Sequence, residues 1–339
     1  MKENGNVLTV RQIRTQFFSR EGTLNAVDGL SFELKPGEVL GIAGESGCGK
    51  SVTAQSILRI LPKHGKTVDG QILLERRGEV TDLLALKEDG DEIRKIRGND
   101  IAMIFQEPMT AFSPVHTVGN QIMEAIQLHH SHLTKKAIRQ RAIDMLTRVG
   151  MPNPSSTIDE YAFNLSGGMR QRAMIAMALS CNPQILIADE PTTAVDVTIQ
   201  AQVLRLIKSL QAEFGMAVIM ITHDLGVIAE VADNVLIMYL GKGVEYGPVD
   251  EVFYNARHPY TQGLLNSIPK LVRERKVLEP IEGAVPSPYD PVSGCPFHPR
   301  CPHWIRGTCE FSMPGVTVVN EGHWVACHLY GDQEHQNGK

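Results

Sequence analysis

At 339 residues the chain exceeds what a single hydrophobic core ordinarily organises, so two domains are expected. With 42% hydrophobic and 21% charged residues its composition is globular, and no apolar run reaches the roughly 18–20 residues that cross a bilayer. A net charge of −5, no basic block with interleaved aromatics and no signal-peptide core exclude nucleic-acid and secretory readings and predict a cytosolic protein.

Residues 7–34 are strand-like, with Leu30, Phe32 and Leu34 alternating with polar residues. Phe17 and Phe18 fall there, where an aromatic can stack on a base or simply fill a sheet core. The turn Lys35-Pro36-Gly37-Glu38 leads into an apolar run. Gly44-Glu45-Ser46-Gly47-Cys48-Gly49-Lys50-Ser51 follows, then a segment over residues 52–61 that can be helical. A strand, a Gly-rich turn and a helix are the context of a phosphate-binding loop, and every fixed position of GxxxxGK[ST] is filled. Glycines let backbone N–H groups close around phosphate oxygens at a helix N-terminus, which adds positive partial charge. Lys50 is expected to reach the β- and γ-phosphates, and the Ser51 hydroxyl to ligate Mg²⁺. Cys48 sits where Lys50 and the helix N-terminus favour a thiolate, which predicts a reactive thiol unless burial overrides it.

Residues 68–74 read as another strand, and the charged stretch up to Asp100 as solvated. Residues 101–105 form a compact apolar run ending at Gln106, with Pro108 and Pro114 interrupting regular structure beyond it. On local grounds Gln106 is an ordinary strand-end polar residue. Residues 117–149 read as helices, with Ile138, Ala142, Met145, Leu146 and Val149 as an apolar stripe inside a solvated basic face. Leu165-Ser166-Gly167-Gly168 opens a further helix. Its Met169, Ala173, Met174, Met177, Ala178 and Cys181 face packs as core, and its small first residues make a second anion site. Residues 185–188 are fully apolar and end in Asp189-Glu190, a costly pair unless chemistry there needs it. Asp189 can hold Mg²⁺, and Glu190 can accept a proton from an attacking water. Residues 218–222 form a second strand leading to His223, at the same end of a parallel sheet, where α/β proteins bind ligands.

In order and spacing, Gly44 to Ser51, Gln106, Leu165-Ser166-Gly167-Gly168, Asp189-Glu190, Asp196 and His223 resemble the motif series of an ABC-type ATPase subunit, over about residues 5–255. The resemblance implies an α/β fold: a phosphate-loop ABC-type ATPase domain over residues 1–255. It would have a mixed β-sheet core, an antiparallel β subdomain and a helical subdomain at about 110–165. It implies ATP on Gly44, Glu45, Ser46, Gly47, Cys48, Gly49, Lys50, Ser51 and Val52, with Phe17, or else Phe18, against the adenine. Ser51, Gln106 and Asp189 would hold Mg²⁺; Glu190, His223, Gln106 and Lys50 would carry the catalysis. A second ABC ATPase, a related subunit or another copy, would pair head to tail. Ser166, Gly167 and Gly168 would then cover the γ-phosphate held by the partner, with Asp196 in the loop that communicates between the sites. That loop, Thr193-Ala194-Val195-Asp196, has Val where Leu is usual, and Cys48 stands where Ser is common.

Phe105-Gln106-Glu107-Pro108-Met109-Thr110, His258-Pro259-Tyr260-Thr261 and the last four cysteines narrow the resemblance to the ATP-binding subunits of oligopeptide and dipeptide importers. This implies ATP-driven peptide import through two transmembrane permease subunits, served by an extracytoplasmic solute-binding protein. The chain would be peripheral on the cytoplasmic face of the cell membrane. The alternatives are oligosaccharide, nickel-complex or opine cargo, or a soluble ABC ATPase. Residues 256–339 would form the C-terminal extension of that family. The segment is loop-rich, with Pro286, Pro288, Pro291, Pro296, Pro299 and Pro302, and wants an external staple. Cys295, Cys301, Cys309 and Cys327, spaced C-x5-C-x7-C-x17-C, suit Zn²⁺ or a 4Fe-4S cluster, and spacing alone does not choose. His298, His303, His323 and His328 keep zinc open, whereas the resemblance implies a 4Fe-4S cluster on the four cysteines. A structural staple of this kind is expected to leave ATP binding largely intact.

Overall fold

The computed structural model describes residues 5–106, 111–192, 196–267, 281–287, 289 and 292–331. They gather into two compact units. One takes in Met1–Leu8, Glu33–Val39 and Leu73–Ile221, the other Thr9–Phe32, Leu40–Ile72 and Thr222–Lys339.

In the first unit, strands β6 (Ile101–Ile104), β7 (Ile185–Asp189) and β8 (Ala217–Ile221) pair in parallel, with β7 in the middle. Every residue of β7 and β8 is buried, which is why these strands read as unbroken apolar runs rather than alternating ones. The polar group that ends β7, Asp189, is therefore delivered to the rim of a dry sheet. The helices here are capped as their sequences anticipate. Thr117 accepts from Asn120 N ahead of Val118–His129, and Thr134 from Ala137 N ahead of Lys135–Arg148. Ser166 accepts from Met169 N at the start of Gly167–Leu179, and Asp196 from Thr198 N and Ile199 N at the start of Val197–Phe214. The expected stripe on Lys135–Arg148 is buried through Ile138, Ala142, Met145 and Leu146. Its basic face is less purely solvated than expected, because Arg139 pairs with Asp159 and Arg141 Nε donates to Ser180 O.

The stretch before Asp100 also departs from expectation. Arg77 and Gly78 both take positive φ, forming a tight turn between β4 (Gly65–Arg76) and the antiparallel β5 (Glu79–Asp82). A short helix, Asp91–Ile96, follows, and Leu83, Ile93 and Ile96 are fully buried. Three fully buried apolar residues anchor a segment otherwise rich in charge.

The second unit contains β1 (Leu8–Ser19) and β2 (Gly22–Leu34), with sheet order β2-β1-β4. It also holds a mixed sheet: β3 (Val39–Ala43) lies parallel to β9 (Asn234–Tyr239), and β9 lies antiparallel to β10 (Lys242–Pro248). Two strands late in the chain extend it. β12 (His323–Ala326) pairs antiparallel with β10, and β11 (Val316–Asn320) with β12. The segment read as loop-rich thus adds a hairpin to this sheet, with His323 and Val325 turned inward. Glu245 of β10 is fully buried beneath it. It accepts from Arg257 N at 2.7 Å, from His258 N at 3.0 Å and pairs with His323 Nε2 at 2.9 Å. A buried carboxylate met by three donors is satisfied rather than stranded.

Candidate active site

The phosphate loop joins β3 to the helix Lys50–Leu58. Its glycines are sterically required. Gly44 has φ 150° and Gly49 φ 101°, and a Cβ on either would stand 2.2 Å from a carbonyl oxygen, that of Met238 or of Ala26. Only a residue without a side chain lets the loop pass that close to its neighbours. Lys50 is buried, and its Nζ donates to Gly44 O at 2.8 Å and Glu45 O at 3.0 Å, so the ammonium already lies within the loop's curl.

Cys48 overturns the expectation of a reactive thiol. It is 3% exposed, its Sγ lies beneath Gly44, and burial pushes the thiol's pKa up against the opposing pull of Lys50. Desolvation here outweighs the nearby cation. Phe17 packs near the His64 ring, centroids 5.4 Å apart, and against Gly65, while Phe18 is 47% exposed. Ser51 and Val52 are half-buried in the first turn of the helix.

In the first unit, Asp189 ends β7 at 4% exposure. Glu190 follows with φ 46°, a conformation a non-glycine residue adopts only when its surroundings enforce it. Its N–H donates to Ile221 O at 2.9 Å, and its Oε2 accepts from Gln106 Nε2 at 2.9 Å. Gln106 and Glu190, far apart in sequence, are thus brought together. Ser166, Gly167, Gly168 and Asp196 also meet. With Gly150, Arg172 and Ile199 they line a hollow of about 540 Å³. His223 lies exposed just beyond β8. Glu107, Pro108, Met109 and Thr110, and Thr193, Ala194 and Val195, lie outside the described residues, as do Pro288 and Pro291.

Among the described residues no group of three or more His, Cys, Asp or Glu is set to hold a metal ion, so nothing there carries the metal-binding part of the expected extension. The four late cysteines are nonetheless neighbours. Cys295 N donates to Cys309 O at 2.8 Å, and Ile305 N donates to Cys309 Sγ at 3.3 Å. Burial, with the other thiols adding to it, pushes Cys295 and Cys327 up to about 11. Three of the histidines that kept zinc open are engaged elsewhere: His323 with Glu245, His328 with Ser312, and His298 with Cys295 O.

Two residues contact the phosphate loop without having been marked for it. Tyr260 Oη accepts from Glu45 N at 2.8 Å, and Arg300 forks onto the Glu45 carboxylate. Tyr260 was singled out only as part of a family marker. Arg300 carries no local signal beyond its place beside Cys301.

Two family models match the chain: ABC transporter over residues 27–193, and oligopeptide/dipeptide transporter, C-terminal region, over residues 244–309. The dipeptide transport ATP-binding protein DppD of Bacillus subtilis (strain 168) is 50% identical over 324 residues, covering 95% of this chain and 94% of its own length. The oligopeptide transport ATP-binding protein AppD of the same strain is 47% identical over 96% of this chain and 98% of its own. The dimeric structure of the bacterial ABC transporter cassette MJ0796 matches with a TM-score of 0.62 at 26% identity, over 71% of this chain and 98% of that one. A dimeric post-hydrolysis state of that cassette, bound to ADP and Pi, matches with a TM-score of 0.62 at 25% identity, over the same shares of the two chains. A phosphate loop on a mixed sheet, a signature helix and these matches over nearly the whole chain have one reading: the chain belongs to the ABC transporter ATPases, in the group that carries the oligopeptide/dipeptide transporter C-terminal region.

Proposed function

We propose that this chain hydrolyses ATP to drive import of peptides through two separate permease subunits, as the peripheral ATPase on the cytoplasmic face of the membrane. The phosphate loop carries the reading, with Lys50 drawn inside a turn that only glycine permits. No helix among the described residues is long and apolar enough to cross a membrane, which suits a chain that relies on permease partners. The peptide cargo rests on the names of the relatives.

In this mechanism Lys50 swings from the Gly44 and Glu45 carbonyls onto the β- and γ-phosphates of ATP, while Gly44–Ser51 cradle them and Val52 continues the helix behind. Phe17 or Phe18 lies against the adenine. Ser51, Asp189 and the side-chain oxygen of Gln106 would hold Mg²⁺, which favours oxygen donors and would neutralise charge on the phosphates. Glu190 accepts the proton of the attacking water. Its carboxylate is held by Gln106, and its strained backbone aims it. His223 contacts the γ-phosphate. Ser166, Gly167 and Gly168, with Asp196 in the same hollow, cover the γ-phosphate of a second ABC ATPase in a head-to-tail dimer. An extracytoplasmic solute-binding protein delivers the cargo.

The domains follow the same reading: residues 1–255 as nucleotide-binding domain, with its antiparallel β subdomain and a helical subdomain near 110–165, and 256–339 as extension. Cys295, Cys301, Cys309 and Cys327 would be the donors for a 4Fe-4S cluster. Four neighbouring thiols, with Cys295 and Cys309 joined through the backbone, suit that group, and three of the four histidines are otherwise bound, which disfavours Zn²⁺. The cluster would serve as a staple.

Proteoliposomes holding this chain with its permeases, second ATPase and binding protein test the function. They should accumulate a labelled dipeptide only with Mg-ATP, and the Lys50→Ala variant should accumulate none. Uptake without ATP, or uptake of nickel complexes or oligosaccharides instead, would contradict it.

A further inference from the structure

Glu45 is held from two directions by residues more than two hundred positions later in the chain. Arg300, in the 3₁₀ turn His298–Arg300, has a side chain only 4% exposed, and its Nη1 and Nη2 reach Glu45 Oε2 and Oε1 at 2.8 and 3.1 Å. Its Nε donates to Glu282 O at 3.2 Å, and its guanidinium lies 5.9 Å over the Tyr239 ring. This is the two-point geometry that makes arginine–carboxylate pairs strong and directional. The Glu45 backbone is held separately, because its N–H donates to Tyr260 Oη. Tyr260 has little freedom of its own. Its ring is fully buried, 4.7 Å from that of Tyr239 and 5.3 Å from that of Phe297, and its N–H donates to His258 Nδ1.

A carboxylate inside a phosphate-binding loop works against its own ligand, since like charges repel most where water is partly excluded. Arg300 removes that conflict by cancelling the charge and turning the carboxylate toward itself. Tyr260 fixes the peptide that leads into the loop. We propose that Arg300 is a positioning residue for the nucleotide site: with Tyr260 it neutralises and anchors Glu45, so that the turn carrying Cys301 sets the affinity for ATP. This rests on the loop being the nucleotide site. It also means that loosening the cysteine-bearing segment weakens ATP binding, contrary to a staple that leaves the site alone.

The test is a double-mutant cycle on the full chain, read as the Kd for fluorescent N-methylanthraniloyl-ATP with Mg²⁺. Arg300→Gln should weaken binding about tenfold, because it leaves the Glu45 charge uncancelled. In a Glu45→Gln background the same change should cost less than about twofold, because nothing then needs cancelling. Arg300→Lys, which keeps the cation and loses the fork, should fall between wild type and Arg300→Gln, and it decides the matter if Arg300→Gln does not fold. Wild-type affinity in Arg300→Gln or Arg300→Lys overturns the proposal, as does an equal loss in both backgrounds. Lys50→Ala separates the premises. If binding survives it, the loop is not the nucleotide site and the proposal falls with that reading. If binding is Lys50-dependent but indifferent to Arg300, only the positioning role falls.

Discussion

Cys48 and Glu45 close one turn of the loop, Cys48 N donating to Glu45 O at 3.3 Å, yet their side-chain environments are opposite. Cys48 is sealed under Gly44, and burial pushes its thiol up despite Lys50 nearby. Native protein at pH 7.5 should therefore leave Cys48 unlabelled by maleimide with or without Mg-ATP, and urea should expose it; rapid labelling of the native chain, mapped by peptide analysis, would contradict this. Glu45 instead faces a buried guanidinium. The strand, Gly-rich turn and helix around Lys50 and Ser51, and the place of Asp189 at a strand end, were legible because spacing along the chain fixes them. Arg300 was not, because its partner is 255 residues away and no periodic pattern links the two. The burial of Cys48 was equally hidden. It follows from the path of the loop past Met238, which only the fold supplies.

Among the elements, buried strands were the easiest to read. β7 and β8 are buried along their whole length and β6 at all but Met103, and apart from the terminal Asp189 their residues are correspondingly apolar. β12 was missed because only His323 and Val325 mark its inward face, and one of them is a histidine. That histidine holds Glu245, so His323→Ala should leave a buried carboxylate short of one donor and lower stability by about 2 kcal/mol in urea unfolding. An unchanged midpoint would contradict it. The neighbouring His258 caps the helix Pro259–Asn266 as a neutral acceptor, and burial pushes it down to about 3. Glu245, which accepts its backbone N–H, and Tyr260 are the titratable groups around it. The unfolded chain takes up that proton below about pH 6.5, so it binds more protons than the folded one there. The stability His258 supports is present above that pH and is lost as pH falls toward 3. Between pH 7.5 and pH 5 the wild type should lose about 2 kcal/mol more than His258→Asn, which can still cap the helix. Equal losses in urea titrations would remove His258 as the cause.

For the whole molecule, the ATPase cassette was readable because its motifs come in a fixed order, whereas the joining of its C-terminal segment to the phosphate loop was not. Protein purified without oxygen should carry close to four irons per chain if the cysteines hold a 4Fe-4S cluster. Any Cys→Ser change among the four should then both release iron and weaken ATP binding through Arg300. Iron-free protein with stoichiometric zinc would contradict the cluster, and iron loss at unchanged ATP affinity would contradict the coupling. The central claim is hydrolysis by a carboxylate at the rim of β7, and its most direct measurement is ATP turnover by Glu190→Gln in the assembled transporter. The account predicts a fall of at least about a hundredfold, the lower range for a general base, with nucleotide binding retained and the closed dimer accumulating in Mg-ATP. Wild-type turnover in that variant would contradict it.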